Sequence, residues 1–345
     1  MKHTISVSLL SSVLLTSAMA EPTSVAKTLS DSQVKVVGTG IVAPEGPTVL
    51  PDGSVAMVEF SPGNIVSVHP DGTREVITHP GSGVVGTVLG KDGALYVAKL
   101  DTSAFMRRAN ANPPAADGMN AAPAAEGMAG APPASSGMSA MDGTPSAILR
   151  IDLNTKQVSK LYTELDGRPI GSPNDLAVDE WGDLWITEQI TPGIVYAHAD
   201  GSQIKLVVSG VKGINGIALS PNKRTLYVMN DSKLTAYEIT GRGTLKSEQG
   251  KPVAKVLVDW PKTLHEPDGI KTEANGNILL ASWEDGIVRY SPSGKLLSQI
   301  IVPNLQVINI AFSPRDKNAL YLAAHPVNNM SGMLVKIPWD AAGAF

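Results

Sequence analysis

Cysteine is absent from the 345 residues. That excludes disulfide staples, thiolate nucleophiles, zinc–thiolate centres and an N-terminal lipid on cysteine, so the chain holds itself together by packing alone. Aromatic residues are scarce at 5 %, and charged residues make up only 17 %. The formal net charge of −4 leaves no basic excess, which argues against nucleic acid as a partner. Long apolar runs are missing too, except near the start. Met1 to Ala20 has a polar beginning at Lys2 and His3, an apolar stretch from Ile5 to Leu15, and the small-x-small pattern Ala18-Met19-Ala20. It reads as a secretory signal over residues 1–20, with the mature chain starting near Glu21 in the periplasm or outside the cell. The stretch is too short for a good bilayer span and no other is longer, so no membrane partner is expected after cleavage.

What the chain does have is 33 glycines, 25 prolines and 43 % hydrophobic residues, a composition for many turns, few long helices and a sizeable core. A unit recurs along it. Each copy opens on a polar residue beside a small or acidic one, continues as an apolar strand, turns, and enters a strong second strand. The clearest copies start at Asn174 (second strand Asp183 to Glu188), Asn215 (Thr225 to Val228), Asp268 (Asn277 to Ala281) and Asn309 (Ala319 to Leu322). Two more start at Glu45 (Ser54 to Glu59) and near Val85 (Ala94 to Ala98). Six units mostly 40 to 50 residues apart predict an all-β fold, a six-bladed β-propeller. The mature chain, 21–345, is read as a single propeller domain. One gap is longer, because an Ala/Pro/Gly/Met-rich insertion at about 102–145 interrupts the second unit. Val34 to Val37 is a short strand placed to pair with Leu334 to Ile337 and close the ring.

The first strand of each blade lines the channel of a propeller, so the opening residues Glu45, Asn174, Asn215, Asp268 and Asn309 are expected to converge on the axis. The unit near Val85 adds no polar group. Carboxylates and amide oxygens without His or Cys suit a hard divalent cation, calcium before magnesium. Asn or Asp before Gly also builds turns, so one such dipeptide carries little weight. Recurrence at matching positions favours a site.

Pro44-Glu45-Gly46-Pro47, Pro173-Asn174-Asp175, Asn215-Gly216-Ile217 with Ser220-Pro221 after it, and Pro267-Asp268-Gly269-Ile270 resemble, in order and context, the gluconolactonase, regucalcin and senescence-marker-protein family. The resemblance covers most of the mature chain outside the insertion, and extends more loosely to paraoxonases and related phosphotriesterases. It implies a six-bladed propeller with one divalent cation in the channel, held at positions corresponding to Glu45, Asn174, Asn215 and Asp268. Calcium is the first choice, with magnesium, manganese or zinc as alternatives. It also implies hydrolysis of a lactone, a small-molecule substrate, with Asp268 both metal ligand and catalytic general base. Ser172 stands where family lactonases carry an Arg that contacts the sugar acid, so the substrate stays open. His79 lies several residues before the position of the paraoxonase histidine. Two other functions remain: aryl ester or organophosphate hydrolysis on the same scaffold, and a non-enzymatic propeller that binds a partner around a structural cation. Oligomeric state is not set by the sequence.

Other signals weigh less. Gly81-Ser82-Gly83-Val84-Val85-Gly86 spells a dinucleotide fingerprint, but a strand pattern follows it where a helix is needed, so it is a linker into the second blade. No Gly-x-Ser-x-Gly elbow, His-Glu-x-x-His motif or Walker loop occurs. His265 and Glu266 precede Asp268 and can line the same mouth or a bland loop; Trp283 can wall the pocket or pack in the core. Glu59 and Glu188 end the second strands of their units and read as supports for the ring or as solvated groups. Met119, Met128, Met138 and Met141 in the insertion are read as low-complexity sequence rather than a soft-metal site.

Overall fold

The structure, a computed structural model, describes residues 26–103, 143–260, 267–327, 329 and 331–345. The signal segment, nearly all of the insertion, and His265 and Glu266 lie outside these residues. The described chain is almost entirely β, arranged as a six-bladed propeller. Each blade is an antiparallel sheet running outward from an innermost strand. Those innermost strands are Pro44–Val49, Val84–Leu89, Pro173–Val178, Ile214–Leu219, Pro267–Thr272 and Leu305–Phe312. They touch one another in cyclic order and close around one axis.

Burial explains why the second strands read as unbroken apolar runs rather than alternating ones. Val55–Glu59, Leu184–Glu188 and Ile278–Ser282 are buried at every position, because both faces of a blade are covered by neighbouring blades. The core is therefore not one central mass. It is six clusters, one in each gap between adjacent blades. Trp185 and Tyr196, for instance, meet edge-on at 4.7 Å in the gap between the third and fourth blades. Fourth strands such as Arg74–Thr78 and Ala254–Asp259 face water and carry polar residues.

The ring closes as the sequence predicts. Lys35–Val42 is the outermost strand of the sixth blade, with Lys35 opposite Lys336 and Val36 opposite Val335. The last blade is thus built from both ends of the described chain, and two open edges disappear. Ala26–Thr28 adds what the sequence did not announce, a short parallel strand covering the edge of the fifth blade at Leu296–Ile301. Gly81 to Gly83 is the linker into the second blade, with Gly83 at φ 85°.

The closing strand drives Ile41, fully buried, into the cluster between the sixth and first blades. Ile41→Ala is expected to lower unfolding free energy by about 2–5 kcal/mol. The exposed neighbour Val36→Ala should stay within about 0.5 kcal/mol. Urea unfolding of both variants checks the pair, and equal losses would deny the closure its role.

Candidate functional site

Strand register decides which side chains reach the axis. The first pairs of the six inner strands include Pro44 with Glu59, Pro173 with Glu188, Ile214 with Asn230 and Pro267 with Ser282. Close to these pairs each inner strand takes one residue more than its partner, as between Pro267 and Ile270 against Ser282 and Leu280. The same shift occurs in every blade. A β-bulge re-aims side chains, and here it recurs at the same level six times. The residues at that level are Glu45, Val85, Asn174, Asn215, Asp268 and Ile308. Four of the five residues expected on the axis share it.

Asn309 does not. Register places it one residue further along, level with Gly46, Gly86, Asp175, Gly216 and Gly269. At this next level the inner strands approach so closely that a side chain has little room. A Cβ on Gly216 would lie 2.6 Å from the Asp268 carbonyl oxygen, and one on Gly46 would lie 2.5 Å from that of Val85. The two side chains that do occupy this level serve as braces. Asn309 Nδ2 donates to Glu45 Oε2 at 3.3 Å, so Asn309 holds a ring carboxylate from behind. Asp175 accepts from the backbone N–H of Leu176 at 2.9 Å and of Ile217 in the next blade at 3.3 Å. Burial raises the Asp175 pKa; the Lys271 ammonium further down the channel and the two N–H donors oppose that rise.

The ring itself is electrostatically unbalanced. Burial, followed by the charge of Asp268, pushes Glu45 well above the usual carboxylate range, and Asp175 adds to the rise. The Gly46 N–H, which donates to Glu45 Oε2, and Asn309 offset only part of it. Asn215 Oδ1 is buried and accepts no hydrogen bond from the described residues. A buried carbonyl oxygen without a partner costs about 1–3 kcal/mol. Two carboxylates and two amides, all able to offer oxygen, share this level, where Glu45 feels the charge of Asp268 and Asn215 Oδ1 lacks a partner among the described residues. Those demands are the ones a hard cation meets.

Asp268 is held in turn. Trp283 Nε1 donates to Asp268 Oδ2 at 2.9 Å, so Trp283 serves the site rather than the core alone. Trp283 also meets the ring of His325 edge-on at 5.2 Å. His325 is buried at 2 % exposure, with Nδ1 3.1 Å from the Pro326 carbonyl. A carbonyl only accepts, so Nδ1 carries a proton, and Nε2 is buried without a partner among the described residues. His325 was not singled out by sequence. The signal was its place near the end of a second strand, level with Trp283 of the preceding blade.

Other expected residues prove structural. Glu59, 2 % exposed, accepts from Val42 N at 2.9 Å and Asn64 Nδ2 at 2.7 Å and pairs with Arg74, fastening the closing strand to the first blade. Glu188 gathers the N–H groups of Ser172, Ile190 and Thr191. Neither is solvated. Ser172 is buried, its hydroxyl 3.5 Å from Gln189. His79 pairs with Asn64 at 2.9 Å in the outer part of the first blade.

The model of the SMP-30/Gluconolactonase/LRE-like region matches residues 43–325. A gluconolactonase from Zymomonas mobilis is 26 % identical over 215 residues, covering 54 % of this chain and 57 % of its own length. A pentonolactonase from Haloferax volcanii is 27 % identical over 187 residues, covering 51 % of this chain and 63 % of its own. The chain thus spans less than two thirds of the length of these relatives. The solved structure of regucalcin, a calcium-binding protein from Agrobacterium tumefaciens, matches with a TM-score of 0.67 at 19 % identity. That match covers 93 % of this chain and 97 % of the other, and it is a likeness of fold.

The close approach at Gly216 is open to a direct check. Gly216→Ala forces its Cβ onto Asp268 backbone and is expected to cost about 1–3 kcal/mol. Calorimetric unfolding reads the loss. Gly93→Ala, where nothing lies within 4 Å of the added carbon, is the comparison for a turn glycine at positive φ.

Proposed function

The chain belongs to the SMP-30/gluconolactonase/LRE-like family, and from that premise we propose that it is a metal-dependent hydrolase of a lactone, exported from the cytoplasm. The observation that carries this reading is the ring at the bulge level. There Glu45 and Asp268 repel each other and Asn215 Oδ1 has no donor among the described residues. Glu45, Asn174, Asn215 and Asp268 are the residues that would hold the ion, with calcium first and magnesium, manganese or zinc as alternatives. The names of the gluconolactonase and pentonolactonase relatives point to the substrate class.

A hard cation, when bound, supplies polarisation of the lactone carbonyl and charge to offset the oxyanion. The chain does the rest. Asp268 accepts a proton from the attacking water, and the Trp283 N–H on Oδ2 fixes the plane of that carboxylate. The water oxygen bonds to the carbonyl carbon, the ring C–O bond breaks, and the departing alkoxide takes a proton to give a hydroxy acid. Asn174 and Asn215 are neutral, so they offer oxygen without adding the negative charge that would repel the oxyanion. Asn309 and Gly46 keep Glu45 in place by hydrogen bonds to Oε2. Export rests on Met1 to Ala20, and sequencing of the mature N-terminus should find Glu21 first.

A panel of aldonolactones assayed by acid release, with metal-stripped protein resupplied with each of the four ions, tests the reading. Turnover is expected only with metal, and Asp268→Asn should lower kcat by about 10²–10⁴-fold. At a hundredfold excess over Kd the preferred ion should add about 2.7 kcal/mol of stability. Asn215→Leu should abolish most of that gain. Metal-dependent stability without turnover on any lactone would turn the assignment toward a binding protein with a structural cation.

A further inference from the structure

The far end of the same channel holds a second concavity, of about 630 Å³, that shares no residue with the ring. It lies at the C-terminal ends of the inner strands. Its walls are apolar, supplied by Leu89, Val178, Leu219 and Phe312 among others. Volume and lining suit a small organic molecule. Polyhydroxylated compounds such as aldonates do not suit these walls, because their hydroxyls would lose water and gain no partner.

Charged side chains gather at this end. Lys91, Lys223 and Lys271 line the cavity, with Asp179 and Glu180 as the only acidic side chains among its lining residues. Both acids have partners, although the donors to Asp179 are neutral and its charge still acts on Lys223. Asp179 accepts from the Tyr196 hydroxyl at 2.9 Å and from the N–H groups of Trp181 and Asp183 at 2.9 and 3.0 Å. Glu180 pairs with Arg224 at 3.6 Å. Lys91 donates to the backbone oxygen of Glu180, which leaves its charge unneutralised. Lys223 and Lys271 have no hydrogen-bond or ion-pair partner among the described residues. Burial and the nearby Lys91 charge both lower the Lys223 pKa, with Asp179 opposing in part. The Lys91 and Lys223 ammonium groups of this lining repel each other, and a further anion between them would relieve that repulsion.

We propose that this cavity is a binding site for a monoanion on an apolar body, such as a medium-chain alkanoate. Its carboxylate sits between Lys223 and Lys91, and its chain lies against Leu89, Val178, Leu219 and Phe312. Ammonium groups are compact point charges, which suits a single carboxylate head better than a forked recognition would. The site is separate from the ring and does not depend on what the ring binds.

Isothermal titration of octanoate and octanamide into the mature chain tests this, in metal-stripped and in calcium-loaded protein. Octanoate should bind about tenfold more tightly than octanamide, as one charge-assisted contact implies. Lys223→Met and Lys91→Met should each erase most of that preference while leaving octanamide binding unchanged, which also reports that the variants are folded. Calcium should make no difference. The proposal fails if acid and amide bind alike, if neither binds, or if Lys223→Met keeps the preference. It fails equally if octanoate binds only with calcium, because the carboxylate then sits at the ring.

Discussion

Six strands must pass side by side around one axis, and the space between them does not admit a side chain at every level. This constraint shapes the rest of the molecule. It demands glycine at Gly46 and Gly216, where a Cβ would run into the backbone of the next blade. It gives the two exceptions, Asp175 and Asn309, their work as braces between neighbours. It also leaves hydroxyls to join strands that belong to different sheets. Thr87 Oγ1 donates to the Gly46 carbonyl at 2.6 Å, and Thr272 Oγ1 donates to that of Leu219 at 2.6 Å. Closure at the outside follows from the same geometry, since a ring packed this tightly at the centre leaves no slack for an unpaired last blade.

The bulge beside the glycine level turns packing into chemistry. A regular ladder would alternate side chains between the two blade faces, into the apolar gaps. One extra residue per inner strand breaks that alternation at a single height, so polar side chains leave the gaps and face the channel. The arrangement is costly by itself: Glu45 is buried near another carboxylate, and Asn215 Oδ1 has no partner among the described residues. Such a cluster fits its fold when something else supplies the missing charge and contacts. Trp283, bonded to Asp268 and packed on His325, shows the second blade strands supporting this level from outside.

Much of this was legible in the sequence because repetition is a loud signal. Apolar second strands at regular spacing disclosed the propeller, and the stray strand before the first unit disclosed its closure. Glu45, Asn174, Asn215 and Asp268 were legible because a Pro or Ile before each one and a Gly or Asp after it mark the same slot. Asn309 misled, since Asn309-Ile310-Ala311 imitates Asn215-Gly216-Ile217 while standing one residue out of register. A bulge is a count of residues on two strands, and one strand read alone does not reveal it. His325 was hidden for a related reason: its importance lies in Trp283, which belongs to another blade. Glu59 and Glu188 looked like ring supports or surface groups because their partners are backbone N–H groups and an arginine on other strands, which no local pattern names.

Down the axis the fixed charges change sign. The ring carries Glu45 and Asp268, Asp175 lies below them, and Lys271 follows on the same strand as Asp268. Lys271 opposes, through space, the rise that burial imposes on the Asp175 pKa. The cation proposed for the ring and the anion proposed for the cavity beside Lys91 and Lys223 would lie at opposite ends of this row. Had position 271 held an acid, negative charge would have extended further along the axis, and the ammonium fixed to that strand prevents this.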